Sequence, residues 1–421
     1  MKALGKLAAL SLTALLVATA CGDGGGSAPA AKGPQPLRMS IWTSNEAHLK
    51  LFKDIATEYR KLHPQVGEIT FDPIPFENYT TTLTTQIAGG NAPDLAWIME
   101  NAAPDFVGSG ALAPLKSKIE KVDELVPSAT RLWQHEGELF AYPFSTSPFG
   151  VFVNTDLVKA SGQKTPRELI KAGQWTWENA TKINKAVAAT GKNGLTILNF
   201  DYKAWDNLAT IWQGWGAKAW SDDGGTCQFN SPEMVQAMTF VHKSIFTDKA
   251  MPGPGKAVDF FSGDTTMAVA QISRAAMLED ATFKWDLVPL PAGPKGDYAV
   301  IGQAGIGVMK KSPRAEQATD FLAYFANAAN AAKLAAYFPP ARSSLLTAET
   351  MAKTSPMLND DQLQKVVIDG IEKGVVKPSH TGQAELAQTT RAALDPLWKP
   401  DANVKTVLDG VCTKIQPLLG G

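Results

Sequence analysis

Apolar residues between positions 37 and 110 follow two alternating rhythms. Leu37 to Trp42 (LRMSIW), Ile69 to Ile74 and Leu95 to Ile98 are short apolar runs that predict strands. After the first run, Leu49, Phe52, Ile55, Ala56, Tyr59 and Leu62 recur at helical spacing. Ser44 or Asn45 supplies a start for that helix and Pro64 a stop. After the second run, Tyr79, Leu83 and Ile87 stand at i, i+4 and i+8, and glycines end the segment. PDFVGSGALAPL follows the third run and predicts a short helix closed by Gly110. Strand, helix, strand, helix, strand predicts a parallel α/β layer structure.

The rhythm changes downstream. AYPFSTSPFGVFVN, Ala141 to Asn154, predicts a pair of short strands. After a linker with Pro166, WTWENATKINKAVAATG predicts a helix capped by Thr176, and a strand is expected to end near Ile197 to Asn199. In DYKAWDNLATIWQGWGAKAW, Trp205, Leu208 and Trp212 fall on one face of a predicted helix. WDLVPL and AVIGQAGIGVM predict strands around a Pro/Gly turn, and the chain from Ser312 reads as mostly helical. No repeat of fixed period occurs. No linker composition occurs past residue 36, so two lobes joined by several crossings are expected.

The N-terminus reads differently. Lys2 and Lys6 precede an uncharged apolar run, Leu7 to Ala20, that falls short of the roughly 20 residues a bilayer span takes. Residues 1–20 predict a secretory signal peptide. Val17-Ala18-Thr19-Ala20-Cys21 resembles a bacterial lipobox, with Ala18 where the usual box has Leu. The resemblance implies a diacylglyceryl group on the Cys21 thiol and cleavage before it. Residues 21–36 have no aliphatic side chain larger than Ala and predict a flexible tether. The expected location is the outer face of the cell membrane, by lipid anchor.

Composition narrows the function. The 421 residues are 44% hydrophobic and 19% charged, with formal net charge −1. The length implies two domains or one large one. Neither the net charge nor any Lys/Arg stripe favours nucleic acid. Eleven Trp supply flat faces of the kind that stack on sugar rings. With Cys21 lipidated, Cys227 and Cys412 remain, and an oxidising exterior favours a disulfide over two buried free thiols. The five His lie at no metal-ligand spacing, and neither a nucleophile elbow nor a phosphate-binding glycine loop occurs. No cofactor and no catalytic residue is expected; a glycosidase carboxylate pair is the enzyme alternative.

Several stretches share a further signal. IWTSNEAHLKLF, IPFENYTTTLTTQIAGGNAPDLAWI, YPFSTSPFGVFVNTDL, FFSGDTTMAV and VPLPAGPKGDYAVIGQAGIGV resemble family 1 extracellular solute-binding proteins of bacterial ABC importers, the relatives of maltodextrin-binding protein. The resemblance runs from Leu37 to the C-terminus. It implies a two-lobed periplasmic-binding-protein-like fold (type II) with an interlobe ligand cleft and hinge strands. Lobe 1 would comprise residues 37–146 plus 303–347, and lobe 2 residues 147–302 plus 348–421. The implied function is binding of a carbohydrate, a di- or oligosaccharide, and its delivery to permease subunits, with the binding protein a monomer. The alternative is an anionic solute such as a glycerol phosphate derivative, anchored by Arg274.

Candidate ligand residues follow. Asn45 and Glu46 lie past the first strand and Glu100 and Asn101 past the third, at the strand ends that open onto a crevice in α/β sheets. The resemblance puts a ligand-binding acid at Glu46 and a polar contact at Asn101. Ser145 and Ser147 lie at the first implied crossing, and Ser147 replaces a family carboxylate. Tyr202 and Trp205 follow a strand-like segment and are expected to face the cleft. Gln271 and Arg274 flank Ser273, where the family has a stacking Trp. Gln303 lies where the chain re-enters lobe 1. Arg342 and His380 are weaker candidates.

Overall fold

A computed structural model describes residues 34–420 of the chain. The expected signal segment, Cys21 and nearly all of the expected tether lie outside the described residues. The tether's last residues do not: the first strand already begins at Gln35.

Eleven strands occur among the described residues. They are β1 (Gln35–Ile41), β2 (Val66–Pro73), β3 (Leu95–Met99), β4 (Gln134–His135), β5 (Glu138–Leu139), β6 (Ala141–Asn154), β7 (Asn193–Ile197), β8 (Thr265–Gln271), β9 (Trp285–Val288), β10 (Val300–Val308) and β11 (Val375–Val376). Apart from the β4–β5 hairpin they form one sheet in the order β2-β1-β3-β10-β6-β8-β7, with β11 beside β10 and β9 beside β6. β1 is parallel to β2 and to β3, as the alternation predicts. The sheet then turns mixed, because β10 runs antiparallel to both β3 and β6.

The first helix, α1 (Glu46–Leu62), starts where the sequence places it. The Asn45 side chain accepts from the N–H groups of Ala47 and His48, satisfying two of the helix's free donors. Glu46 in its first turn and Arg60 and Lys61 in its last complement the helix dipole. Its apolar face buries Phe52, Ile55, Ala56 and Tyr59. A large apolar side chain so buried contributes roughly 1.5–3 kcal/mol. The second helix, α2 (Tyr79–Ala88), buries Tyr79 and Leu83, and the Tyr79 hydroxyl donates to the Ser40 carbonyl of β1. A short third helix, α3 (Ala103–Gly108), follows β3. These elements share one apolar core. A second forms around β7, β8 and the helices Trp177–Ala188 and Pro232–Phe246.

Two expectations fail in the middle of the chain. Ala141–Asn154 is one continuous strand of 14 residues, since Pro143 and Pro148 sit within it without breaking it. It pairs with β10 over its first half and with β8 and β9 over its second. Tyr142 and Phe144 of its first half lie in the first core, and its second half alternates between the two, with Phe152 in the first and Phe149, Val151 and Val153 in the second. The Trp-rich segment is three short pieces, Trp205–Leu208, Ala209–Trp212 and Gln213–Trp215, closed by Gly216 at φ +70°. Only a residue free of a Cβ adopts that conformation at little cost. Cys227 and Cys412 form a disulfide, with Cα atoms 5.4 Å apart, that ties a turn to the helix Val404–Ile415.

Candidate functional site

Two clusters lie on the sheet, one at the end of β1 and one at the crossing of β6 and β10. The first grows from the C-terminal end of β1. There the chain leaves the sheet at Trp42 and turns through Thr43, Ser44 and Asn45 into α1. A cavity of ≈ 530 Å³ opens over this turn, lined by Trp42, Thr43, Ser44, Asn45, His48, Trp97 and Phe338. Aromatic contacts fix its floor. Trp42 meets Trp97 edge-on at 4.7 Å and Tyr79 at 5.1 Å, and Trp97 packs on Phe144 at 4.5 Å. The rim is polar. Thr43 Oγ1 is 3.0 Å from His48 Nδ1, and the His48 ring packs on Phe338 at 5.0 Å and Tyr337 at 4.6 Å. Burial holds the His48 imidazole below its ordinary pKa. The cavity thus offers aromatic faces below and neutral hydroxyl, amide and imidazole groups above.

The second cluster surrounds the crossing of β6 and β10. Ser147 stands opposite Gly302, and Thr146 opposite Gln303. A side chain at position 302 would collide with the amide of Gln271 and come within 3.5 Å of Glu100 Oε2, so glycine is what lets these groups converge. Ser147 Oγ is buried beside them without a hydrogen-bond partner among the described residues. Within β10, Gly302, Ala304 and Ile306 share a face by the two-residue strand period, and Ile306 pairs with Trp97. Both clusters therefore sit on one face of the sheet.

Glu100 is not free. Its Oε2 accepts from the Gln303 backbone N–H, and its Oε1 lies 3.0 Å from Lys377 Nζ. The same ammonium donates to Asp206 Oδ2 at 2.7 Å and Asn207 Oδ1 at 3.1 Å, and sits 5.9 Å from the Phe149 ring centroid. Burial works against this charge, but Glu100 and Asp206 beside it outweigh burial and hold its pKa above the ordinary lysine value.

The expected ligand residues therefore divide. Asn45 lines the cavity, while Glu46 is exposed outside its lining. Glu100, Ser147 and Gln271 converge at Gly302; half-buried Ser145 lies two residues up the same strand, opposite Ala304. Asn101 is exposed in the turn Glu100–Ala102. Gln303 turns its amide the other way, donating to the Ser128 carbonyl at 2.9 Å. Arg274 makes no ion pair among the described residues, and its guanidinium lies 4.0 Å from Met277 sulfur.

Four expectations are corrected. Trp205 is 3% exposed and packs against Trp212, Trp220 and Phe229, with its indole N–H donating to the Ala387 carbonyl. It belongs to the second core, not to the cleft. Tyr202 donates its hydroxyl to the Pro252 carbonyl and packs tilted against Phe200 and edge-on to Trp398. Arg342 is fully buried, donating to the carbonyls of Glu120, Lys121 and Ala326, and so serves packing. His380 is tied through its ring to the carbonyls of Gly224 and Thr381.

As ligand residues, sequence reasoning passed over Trp42, Thr43, Ser44, His48, Trp97, Phe338, Asp206, Asn207 and Lys377. Trp97 is buried and also lines the cavity. A signal for Trp42 existed: it is the aromatic residue at the open end of β1, followed by Thr43 and Ser44.

Comparison with known proteins bears on this geometry. The family described as bacterial extracellular solute-binding protein matches residues 54–358. The lactose-binding protein of Rhizobium radiobacter is 24% identical over 332 residues, 75% of this chain and 73% of its own. A Streptomyces antibioticus protein described as an uncharacterized lipoprotein in the oleD 5′ region is 24% identical over 335 residues, 76% of this chain and 72% of its own. Among solved structures, the ABC substrate-binding protein Lmo0181 of Listeria monocytogenes, in complex with cycloalternan, has a TM-score of 0.77 at 22% identity, covering 92% of this chain and 99% of its own. The cyclic alpha-maltosyl-1,6-maltose binding protein of Arthrobacter globiformis has a TM-score of 0.79 at 17% identity, covering 92% and 100%. These likenesses establish the two-lobed α/β fold. The family match spans most of the chain, and the protein is a member of the bacterial extracellular solute-binding proteins, a family that binds its solutes and does not turn them over.

Proposed function

We propose that this protein binds a carbohydrate, a di- or oligosaccharide, outside the cytoplasm and delivers it to an ABC import permease. The cavity at the end of β1 carries the proposal: Trp42, Trp97 and Phe338 below, Thr43, Ser44, Asn45 and His48 above. Sugar rings have apolar C–H faces and a belt of hydroxyls, and an aromatic floor with a neutral polar rim complements both. The names of relatives point the same way, to lactose, cycloalternan and a cyclic maltosyl-maltose.

An anionic solute is the lesser reading. Its support is Arg274, which lacks a carboxylate partner among the described residues. Against it, the cation at the strand crossing already spends its donors on Glu100, Asp206 and Asn207.

In this reading the lobes are residues 37–146 plus 303–347 and 147–302 plus 348–421. They close on the sugar by hinge motion, driven by differential affinity for the closed state. Residues 1–20 direct export, and a lipid on Cys21 holds the protein at the membrane. The Streptomyces relative described as a lipoprotein supports that anchor.

Calorimetric titration of the full chain in detergent with lactose, maltose, maltotetraose and glycerol 3-phosphate tests the proposal. Binding of at least one saccharide and not of the phosphate is expected. Binding of the phosphate alone would move the assignment to the anionic class. Mass spectrometry of the membrane-extracted protein tests the anchor: an N-terminus other than acylated Cys21 would remove it.

A further inference from the structure

Beside the Gly302 cluster, with which it shares Glu100, lies a buried charge cluster that the cavity does not use. Lys377 lies just past β11, whose two residues pair with Val300 and Ile301 on the second-core side of the strand crossing. Its ammonium reaches in two directions. Asp206 and Asn207, on the segment that carries Trp205 into the second core, take two of its contacts. Glu100, just past β3 of the first core, takes the third. A lysine ammonium has three N–H groups, so the set is complete. All three charged side chains are largely shielded, at 14%, 13% and 23% exposure. Five residues later the same segment crosses again, where the Gly382 N–H donates to Asp105 Oδ1 of α3 at 2.7 Å.

We propose that Lys377 is the positioning residue of the ligand cleft: it docks Glu100 of the first lobe onto Asp206 and Asn207 of the second, and so sets how far the lobes stand apart in the absence of ligand. The proposal rests on the solute-binding reading but not on the ligand being a sugar. Opening the lobes separates Glu100 from Lys377, because the ammonium is held to the second lobe by two partners and to the first by one. The separated groups must then be rehydrated or re-paired. Breaking the pair by mutation removes that restraint, and the population shifts toward open forms. The pair is shielded from solvent, so it is screened by salt less than a surface pair.

Small-angle scattering of the ligand-free full chain in detergent-free nanodiscs, together with calorimetric unfolding, provides the test. Lys377→Met and Glu100→Gln are both measured, since Glu100→Gln keeps an acceptor for the Gln303 N–H and preserves the strand crossing. Both variants should show a larger interlobe spacing than wild type, and Lys377→Arg a smaller increase than Lys377→Met. Wild-type spacing should hold from low to high salt. A merely structural lysine would lower the melting temperature and leave the spacing unchanged; that result, in Glu100→Gln as well as Lys377→Met, would overturn the proposal. No ligand enters this measurement, so a failed carbohydrate titration leaves its outcome interpretable.

Discussion

The side-chain amide of Gln271 lies against the α-carbon of Gly302, in the space a methyl group on that carbon would fill. Gly302→Ala must therefore push Gln271 away from Ser147 and Glu100. Ligand affinity should fall tenfold or more, about 1.4 kcal/mol or above. Titration of the variant with whichever saccharide binds the wild type checks this. Unchanged affinity would remove the Gly302 cluster from the binding site.

Trp42 is half-buried at the head of the cavity, held edge-on by Trp97 and Tyr79. Trp42→Ala should weaken saccharide binding several-fold, from the loss of stacking worth about 0.5–1.5 kcal/mol and of the area the ring covers. Trp42→Phe keeps a flat face and should recover most of it. Equal losses in both variants would point to a disturbed fold in place of a lost platform.

His48 ties stability to pH. Burial lowers its pKa in the folded protein below the unfolded value of 6.5. The unfolded chain therefore binds a proton first as pH falls. The stability that the neutral ring supports is present above pH 6.5 and declines as pH drops through the folded pKa. Denaturant midpoints at pH 7.5 and at mildly acidic pH should differ more in wild type than in His48→Gln.

The disulfide Cys227–Cys412 closes a separation of 185 residues. The double substitution Cys227→Ser, Cys412→Ser should cost about 2–5 kcal/mol of stability. The bridge lies by the second core, away from the cavity, so saccharide affinity should be unchanged. A reduced wild type should unfold at the same denaturant concentration as the double variant.

Much of the fold follows from local pattern. The first three strands and α1 have their apolar spacing and cap within a few residues of each other, and Thr176 caps the helix Trp177–Ala188 for the same reason. The continuity of β6 was not legible, because two prolines inside a strand read as breaks when its neighbours are unknown. The site was legible where it follows strand ends, as at Asn45 and Glu100. It was not legible at Lys377, whose partners lie far along the chain and whose own neighbours, VVKPS, carry no periodic signal. Trp205 misled for a related reason: an aromatic face on a helix looks alike whether it meets a ligand or the Phe229 and Trp212 rings.

The strand order has a consequence for how the chain matures. β10 lies between β3 and β6, yet it is made long after both. Until Val308 has left the ribosome, the facing edges of β3 and β6 have no partner, and the first lobe has no closed sheet. Unpaired edges invite pairing with other chains. The β2-β1-β3 unit can form early, but its β3 edge then stays open until β10 is made. β10 is thus the strand that joins β3 to β6, and its late synthesis leaves the two halves of the sheet unlinked until then.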